Sequence, residues 1–307
     1  MIIKKRIYVS IEGGLGNQLF MWLNAKNFAH ANNSLIFFET LSGYIFGLKN
    51  SYNRKFKRYT KLKKFKNIKN KQSNFIISLI FIIIRFLNYF FRIKKILCIN
   101  LIFVRITVFN DLNQNFSNSQ YQHYKQKKNE LIFFIGYWQK LFFIKNFREN
   151  WIFLNNKSEN KIKNFVDKKI NNKTVALHIR GNERLWKKHK KNHPIPNLDF
   201  YKKTINYFKK DKVKFHIFTD DKKYAIKIIN SLNLKKNFIY IDKYFKKDFE
   251  QFILLTKYKH YILSNSTFSL LPSIISKYER KIIFLSNLWF KKKKLPKDLR
   301  VKSLRII

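Results

Sequence analysis

One cysteine, Cys98, is all the thiol chemistry of this 307-residue chain. No intramolecular disulfide holds it together, the composition suits a reducing compartment, and the residue itself reads as a small buried hydrophobe. Carboxylates are nearly as scarce: 17 Asp and Glu stand against 65 Lys and Arg, a net charge of +48. Such an excess ordinarily draws a protein to nucleic acid or to an anionic lipid surface. Here the abundant residues are Lys, Asn, Ile, Phe and Tyr, which A/T-rich codons encode, so coding bias accounts for much of it. The cations are spread along the chain instead of gathered in one motif, which argues against a specific nucleic-acid module. Adhesion to an anionic membrane surface is the partner that charge still predicts.

Other absences narrow the field further. No apolar segment of adequate length precedes the first glycines, so export through a signal peptide is not expected. No fixed-period repeat is present, which excludes solenoids. The longest apolar run, Phe75 to Phe91, is shorter than the ~20 residues of a spanning helix and carries Arg85 near its centre. It reads as a buried or membrane-grazing helix. Basic residues on both sides (Lys63, Lys64, Lys66, Arg92, Lys94, Lys95) favour a peripheral contact with the cytoplasmic face of a membrane.

With 46% hydrophobic and 18% aromatic residues the chain has ample material for a core. A strand from Arg6 to Ile11 runs through a glycine turn into an all-round apolar helix from about Asn17. The stretches Ser51–Ser73 and Asn110–Lys128, rich in Lys, Asn, Gln and Ser, read as surface loops. In the second half, strand patterns at TVALHIR, KFHIFTDD and Tyr261–Leu263 alternate with helical stripes. Those stripes hold Tyr201, Ile205 and Phe208; then Ala225, Ile228, Ile229 and Leu232; then Phe249, Phe252 and Ile253; a further helix starts near Thr267. This alternation predicts a parallel α/β sheet with right-handed crossovers, whose ligands bind beyond the carboxyl ends of the strands.

Four groups of residues carry chemistry. The turn Gly13, Gly14, Leu15, Gly16, Asn17, Gln18 puts backbone N–H groups and a helix N-terminus where an anion or sugar hydroxyl can sit. It lacks the Lys and Ser/Thr of a P-loop and the spacing of a dinucleotide fingerprint. His178 and Arg180 end a strand on one side of the pleat, and the guanidinium offers a fork for a diphosphate leaving group. Glu183 is placed to hold that arginine or to act as a base. Thr219-Asp220-Asp221 ends the next strand; an aspartate there either accepts from the N–H edge of guanine or caps the following helix. Asn265, Ser266, Thr267 and Phe268 open a helix that makes a second phosphate cradle. No Asp-x-Asp with supporting ligands appears, so no obligatory metal and no separate cofactor are expected.

Taken in order, GGLGNQLF, GYWQK (Gly136–Lys140), HIRGNE, FTDD and SNSTFSLLPSII resemble the α-1,2-fucosyltransferase family, glycosyltransferase family 11. Echoes near Arg54 and at Trp289-Phe290 extend the likeness over nearly the whole chain. The resemblance implies a GT-B-like α/β fold of two Rossmann-like halves facing a cleft: an acceptor-side half, 1–150, and a nucleotide-sugar half, 151–307. It implies GDP-β-L-fucose as donor, a glycan acceptor, and inversion to an α-1,2 linkage. On the family's HxRRxD motif, His178 and Arg180 match the His and the first Arg, while Gly181 and Glu183 depart from the second Arg and the Asp. Leu270 and Leu271 stand where an aromatic pair usually follows.

Overall fold

The computed structural model describes residues 5–45, 59–91, 96–101, 104–111, 124–139, 152–181, 193–209, 213–232, 237–290, 293–294 and 300–307. Glu183, Lys140, Arg92, Lys94, Lys95 and Arg54 lie outside them. The chain divides into two compact units, Met1–Phe153 and Leu154–Ile307. Each is an α/β unit built on a largely parallel sheet, which bears out the expectation of two Rossmann-like halves.

In the first unit, β1 (Arg6–Ser10) leads into α1 (Leu15–Ala31), then β2 (Leu35–Glu39), the short α2 (Leu41–Ile45), α3 (Phe75–Phe91), β3 (Ile96–Asn100), β4 (Arg105–Asp111) and β5 (Glu130–Gly136). The strand order is β2-β1-β5-β4-β3, parallel throughout except for β3, which runs antiparallel along one edge. Alternation along each strand divides the aromatic residues between the two faces. Phe134 and Phe109 meet Phe28 of α1 at ring distances of 5.3 and 5.6 Å, whereas Phe133 meets Phe81 of α3 at 5.1 Å. Burying a side chain such as Phe81 contributes about 1.5–3 kcal/mol.

Three expectations fail in this unit. Cys98 is exposed, because it lies on the edge strand β3. The basic stretch before Ser73 is no simple surface loop either: Leu62, Phe65 and Ile68 are fully buried, and the Lys66 N–H donates to the Phe153 carbonyl at 2.9 Å. Apolar residues three apart, hidden among lysines, anchor a turn that composition alone reads as solvated. Asn110, taken as the start of a second loop, is the penultimate residue of β4.

The second unit runs α4 (Asn156–Lys169), β6 (Thr174–Ile179), α5 (Leu198–Lys209), β7 (Lys214–Thr219), α6 (Lys222–Ser231), β8 (Phe238–Tyr240), α7 (Asp248–Leu255), β9 (His260–Leu263), α8 (Thr267–Ile275), β10 (Ile282–Leu285), a small antiparallel pair β11 (Leu288–Phe290) and β12 (Lys293–Lys294), and β13 (Leu304–Ile306). The six main strands are all parallel in the order β13-β10-β9-β6-β7-β8. Helices packed on such a sheet bury its strands on both faces. Every residue of β6 is accordingly buried, and Val175, Leu177 and Ile179 join Tyr201, Ile205, Ala225 and Ile229 in one core.

The strand order fixes where ligands have room. From β6 the chain proceeds outward to β7 and β8, then returns to place β9 on the other side of β6. The crevice between the carboxyl ends of β6 and β9 is therefore a topological switch point. The first sheet has its own between β1 and β5.

Candidate functional site

At the β6–β9 switch point, Ser264 ties the two strand ends together. Its Oγ donates to the His178 carbonyl at 2.9 Å, accepts the Arg180 N–H at 3.0 Å, and lies 2.8 Å from the Tyr201 hydroxyl. Neither Ser264 nor Tyr201 stands out in the sequence as a site residue; the nearest signal is that Ser264 directly precedes the polar run at Asn265.

Arg180 emerges just past β6 with its side chain partly exposed. Its Nη1 sits 2.9 Å from Asp220 Oδ2, and Asp220 Oδ1 accepts the Gly181 N–H at 2.9 Å. One carboxylate at the tip of β7 thus grips both the guanidinium and the backbone beside it, which fixes the fork in place. Asp220 thus holds the arginine, and Glu183, the carboxylate the sequence offered for the same task, lies outside the described residues. Asp221 caps α6 by accepting the Tyr224 N–H at 3.0 Å, the alternative that the sequence left open. Among the described residues no group of three His, Cys, Asp or Glu is arranged to hold a metal.

His178 lies behind this surface, only 2% exposed, with Nδ1 2.9 Å from Ser269 Oγ. Burial, aided by the neighbouring Arg180 charge, pushes its pKa down to about 3, so the ring is neutral. Its sequence position suggested contact with a ligand; the structure buries it as an internal prop between β6 and α8. Above it, Ser266 caps α8 by accepting the Phe268 N–H at 3.3 Å, and Asn265 Nδ2 donates to the Pro194 carbonyl at 3.3 Å. Thr267 and Phe268 are partly exposed in the first turn of α8. The helix N-terminus, with its positive dipole end, therefore opens beside the tip that carries Arg180. A cation in a fixed fork and a helix N-terminus at one sheet edge suit a diphosphate.

The glycine turn occupies the switch point of the other unit. Gly13 has φ +75° and an added Cβ would meet Asn17 Nδ2 at 3.0 Å, so glycine is required there. Gly14 has an ordinary φ of −81° and open space around a would-be Cβ. The fold does not need glycine at 14, and the missing side chain leaves the N-terminus of α1 open. Gly16 is buried in the first turn of that helix. Gln18 is 1% exposed and fully engaged: its Nε2 lies 2.9 Å from the Gly13 carbonyl and from the Tyr44 hydroxyl, and its Oε1 accepts the Lys61 N–H at 2.9 Å. It pins the turn and is not directed at a ligand. Asn17 Oδ1 accepts from Gln139 Nε2 at 3.0 Å. Gly136, with φ +114°, and the buried Trp138, with φ +50°, bend the chain after β5 so that Gln139 reaches across. Two motifs more than a hundred residues apart thus meet at one strand crevice.

Beneath the turn lies a buried polar cluster invisible in the sequence. Arg85 of α3 reaches Glu12 Oε2 at 3.3 Å and Ser10 Oγ at 2.9 Å; Ser10 Oγ lies 2.9 Å from Ser42 Oγ, which donates to Glu39 at 2.6 Å.

The chain matches the family described as Glycosyl transferase family 11 over residues 6–295. No curated relative matches it in sequence. Among solved structures it is similar to a mutant of Arabidopsis thaliana FUT1 in complex with GDP (TM-score 0.51, 10% identity, 92% of this chain and 70% of that one). Weaker likenesses are to the fucosyltransferase NodZ from Bradyrhizobium (TM-score 0.46, 11% identity, covering 89% and 94%) and to POFUT1 in complex with GDP-fucose (TM-score 0.41, 10% identity, covering 89% and 92%).

Proposed function

Since the chain belongs to glycosyl transferase family 11, we propose that it transfers L-fucose from GDP-β-L-fucose to a glycan hydroxyl, with inversion to an α-1,2 linkage and no obligatory metal. The observation that carries the reading is Arg180, gripped by Asp220 at the β6–β9 switch point beside the N-terminus of α8. The FUT1 structure of similar fold holds GDP, the product such a reaction leaves.

In the proposed step an acceptor hydroxyl attacks the anomeric carbon from the face opposite GDP. The carbon–oxygen bond to GDP breaks, and the electron pair departs with the diphosphate. Arg180 and the positive dipole end of α8 meet the charge that grows there, while Ser266 and Thr267 line the cradle. Glu183, three residues beyond Arg180, is our candidate to accept the acceptor's proton. A surface glycan built on a lipid carrier at the cytoplasmic face of a membrane is the acceptor class that agrees with the basic character of the chain.

Two measurements test this. In a thermal-shift screen of nucleotide sugars, GDP-fucose should stabilise the protein more than UDP- or CMP-sugars at equal concentration. Arg180→Ala should abolish transfer while its unliganded Tm stays within a few degrees of the parent. Parental turnover in Arg180→Ala, or equal stabilisation by UDP-sugars, would overturn the assignment.

A further inference from the structure

Helix α3 is built inside out. Its inward face carries Ile77, Phe81 and Ile84 against Tyr8, Val108 and Phe133, but also three polar groups. Ser78 is buried, Asn88 Oδ1 accepts from Asn110 Nδ2 at 2.7 Å, and Arg85, 8% exposed, is spent on Glu12 and Ser10. The outward face has no polar group apart from one phenol. Phe75, Ile76, Leu79, Ile83, Phe86, Tyr89 and Phe90 follow one another at helical spacing and all are exposed, Ile83 at 57% and Tyr89 at 80%. A surface helix of a water-soluble domain has the opposite arrangement. A contiguous apolar stripe of this length marks a contact that the described residues of the chain do not supply.

The surrounding charge identifies the occupant. From Thr40 to Asn110 the sequence contains no Asp or Glu, while Lys61, Lys63, Lys64, Lys66, Lys69 and Lys71 precede α3 and Arg92, Lys94 and Lys95 follow it. Lys63, Lys64, Lys66 and Lys69 are exposed. A second copy of a chain with net charge +48 would bring the same cations to the same seam, and repulsion opposes that pairing. An anionic lipid surface complements both features, taking the apolar stripe into its acyl boundary and the lysines onto its headgroups. No helix among the described residues is long and apolar enough to cross a membrane. Arg85 is moreover committed inward, so α3 has one wet-side attachment and one lipid-compatible face.

We propose that α3 lies flat on an anionic bilayer, with Leu79, Ile83, Phe86 and Phe90 immersed and Tyr89 at the headgroup level. The proposal stands apart from the choice of sugar donor. It is tested by flotation of the full chain with vesicles of phosphatidylcholine alone and with about 30 mol% phosphatidylglycerol. The parent should float with the anionic vesicles and hardly at all with the neutral ones. The double variant Ile83→Glu, Phe86→Glu changes exposed positions only; it should keep the parental circular dichroism spectrum and Tm while its partitioning falls by at least about tenfold. Undiminished flotation of the folded variant would show that charge alone drives binding and would overturn the immersion of α3. Equal binding of the parent to neutral vesicles, or a parental dimer in sedimentation that the variant abolishes, would also overturn the proposal.

Discussion

Gly181 shows how a departure from a family pattern is absorbed by its neighbours. A Cβ at that position would stand 2.6 Å from Asp221 Cβ, and Asp221 is committed to capping α6. Restoring arginine by Gly181→Arg is therefore expected to dislodge the cap and strain the β6–β7 tips, lowering stability by about 1–3 kcal/mol without tightening GDP binding. Denaturant unfolding and a GDP titration of the variant check both halves of that statement. The buried histidines set a second residue-scale expectation. His178 is pushed down to about 3 and His216, which pairs through Nδ1 with the Tyr258 hydroxyl at 2.7 Å, to about 4, both chiefly by desolvation. Unfolding frees each ring to take up a proton near its ordinary pKa of about 6.5. Their contribution is fully present above that pH. It is lost as pH falls, by up to about 1.4 kcal/mol per pH unit for each ring, through the window from about 6.5 down to about 4. Tm measured against pH should show this slope, and His178→Asn should roughly halve it.

At the scale of elements, β6, β7 and β9 and the helices between them were legible because their periodicities are clean, and their order alone brought Arg180, Asp220 and the Asn265 run to one sheet edge. What each polar group does there was not legible. That Asp220 grips Arg180, and whether His178 faces in or out, depend on burial and on which strands are neighbours, and neither is written in spacing. The first sheet was harder to read, since β2 is separated from β3 by helices and a basic stretch, and apart from the local β3–β4 pair its strands gain their partners only through long-range contact. The tie between α3 and the glycine turn is the extreme case: Arg85 and Glu12 stand 73 residues apart. With side chains only 8% and 13% exposed, this pair is a buried one. Glu12→Gln strands the guanidinium without a counter-charge and should cost about 3–5 kcal/mol, whereas adding Arg85→Met should restore most of the loss. Chemical denaturation of the single and double variants measures the difference.

At the scale of the whole molecule, composition was right about a large core and silent about its layout. A net charge of +48 is a property of the entire chain, and only the placement of exposed apolar residues on one helix gives part of it a local meaning. Layout has a practical side as well. The polypeptide passes from one compact unit to the other at Phe153 and Leu154, and β13, which starts three residues before Ile307, closes the second sheet by pairing with β10. Among the described residues each main sheet draws all its strands from one unit. One cut in the gene between Phe153 and Leu154 would therefore leave every described strand of each sheet on one polypeptide, which makes that junction the place to exchange halves between divergent homologues.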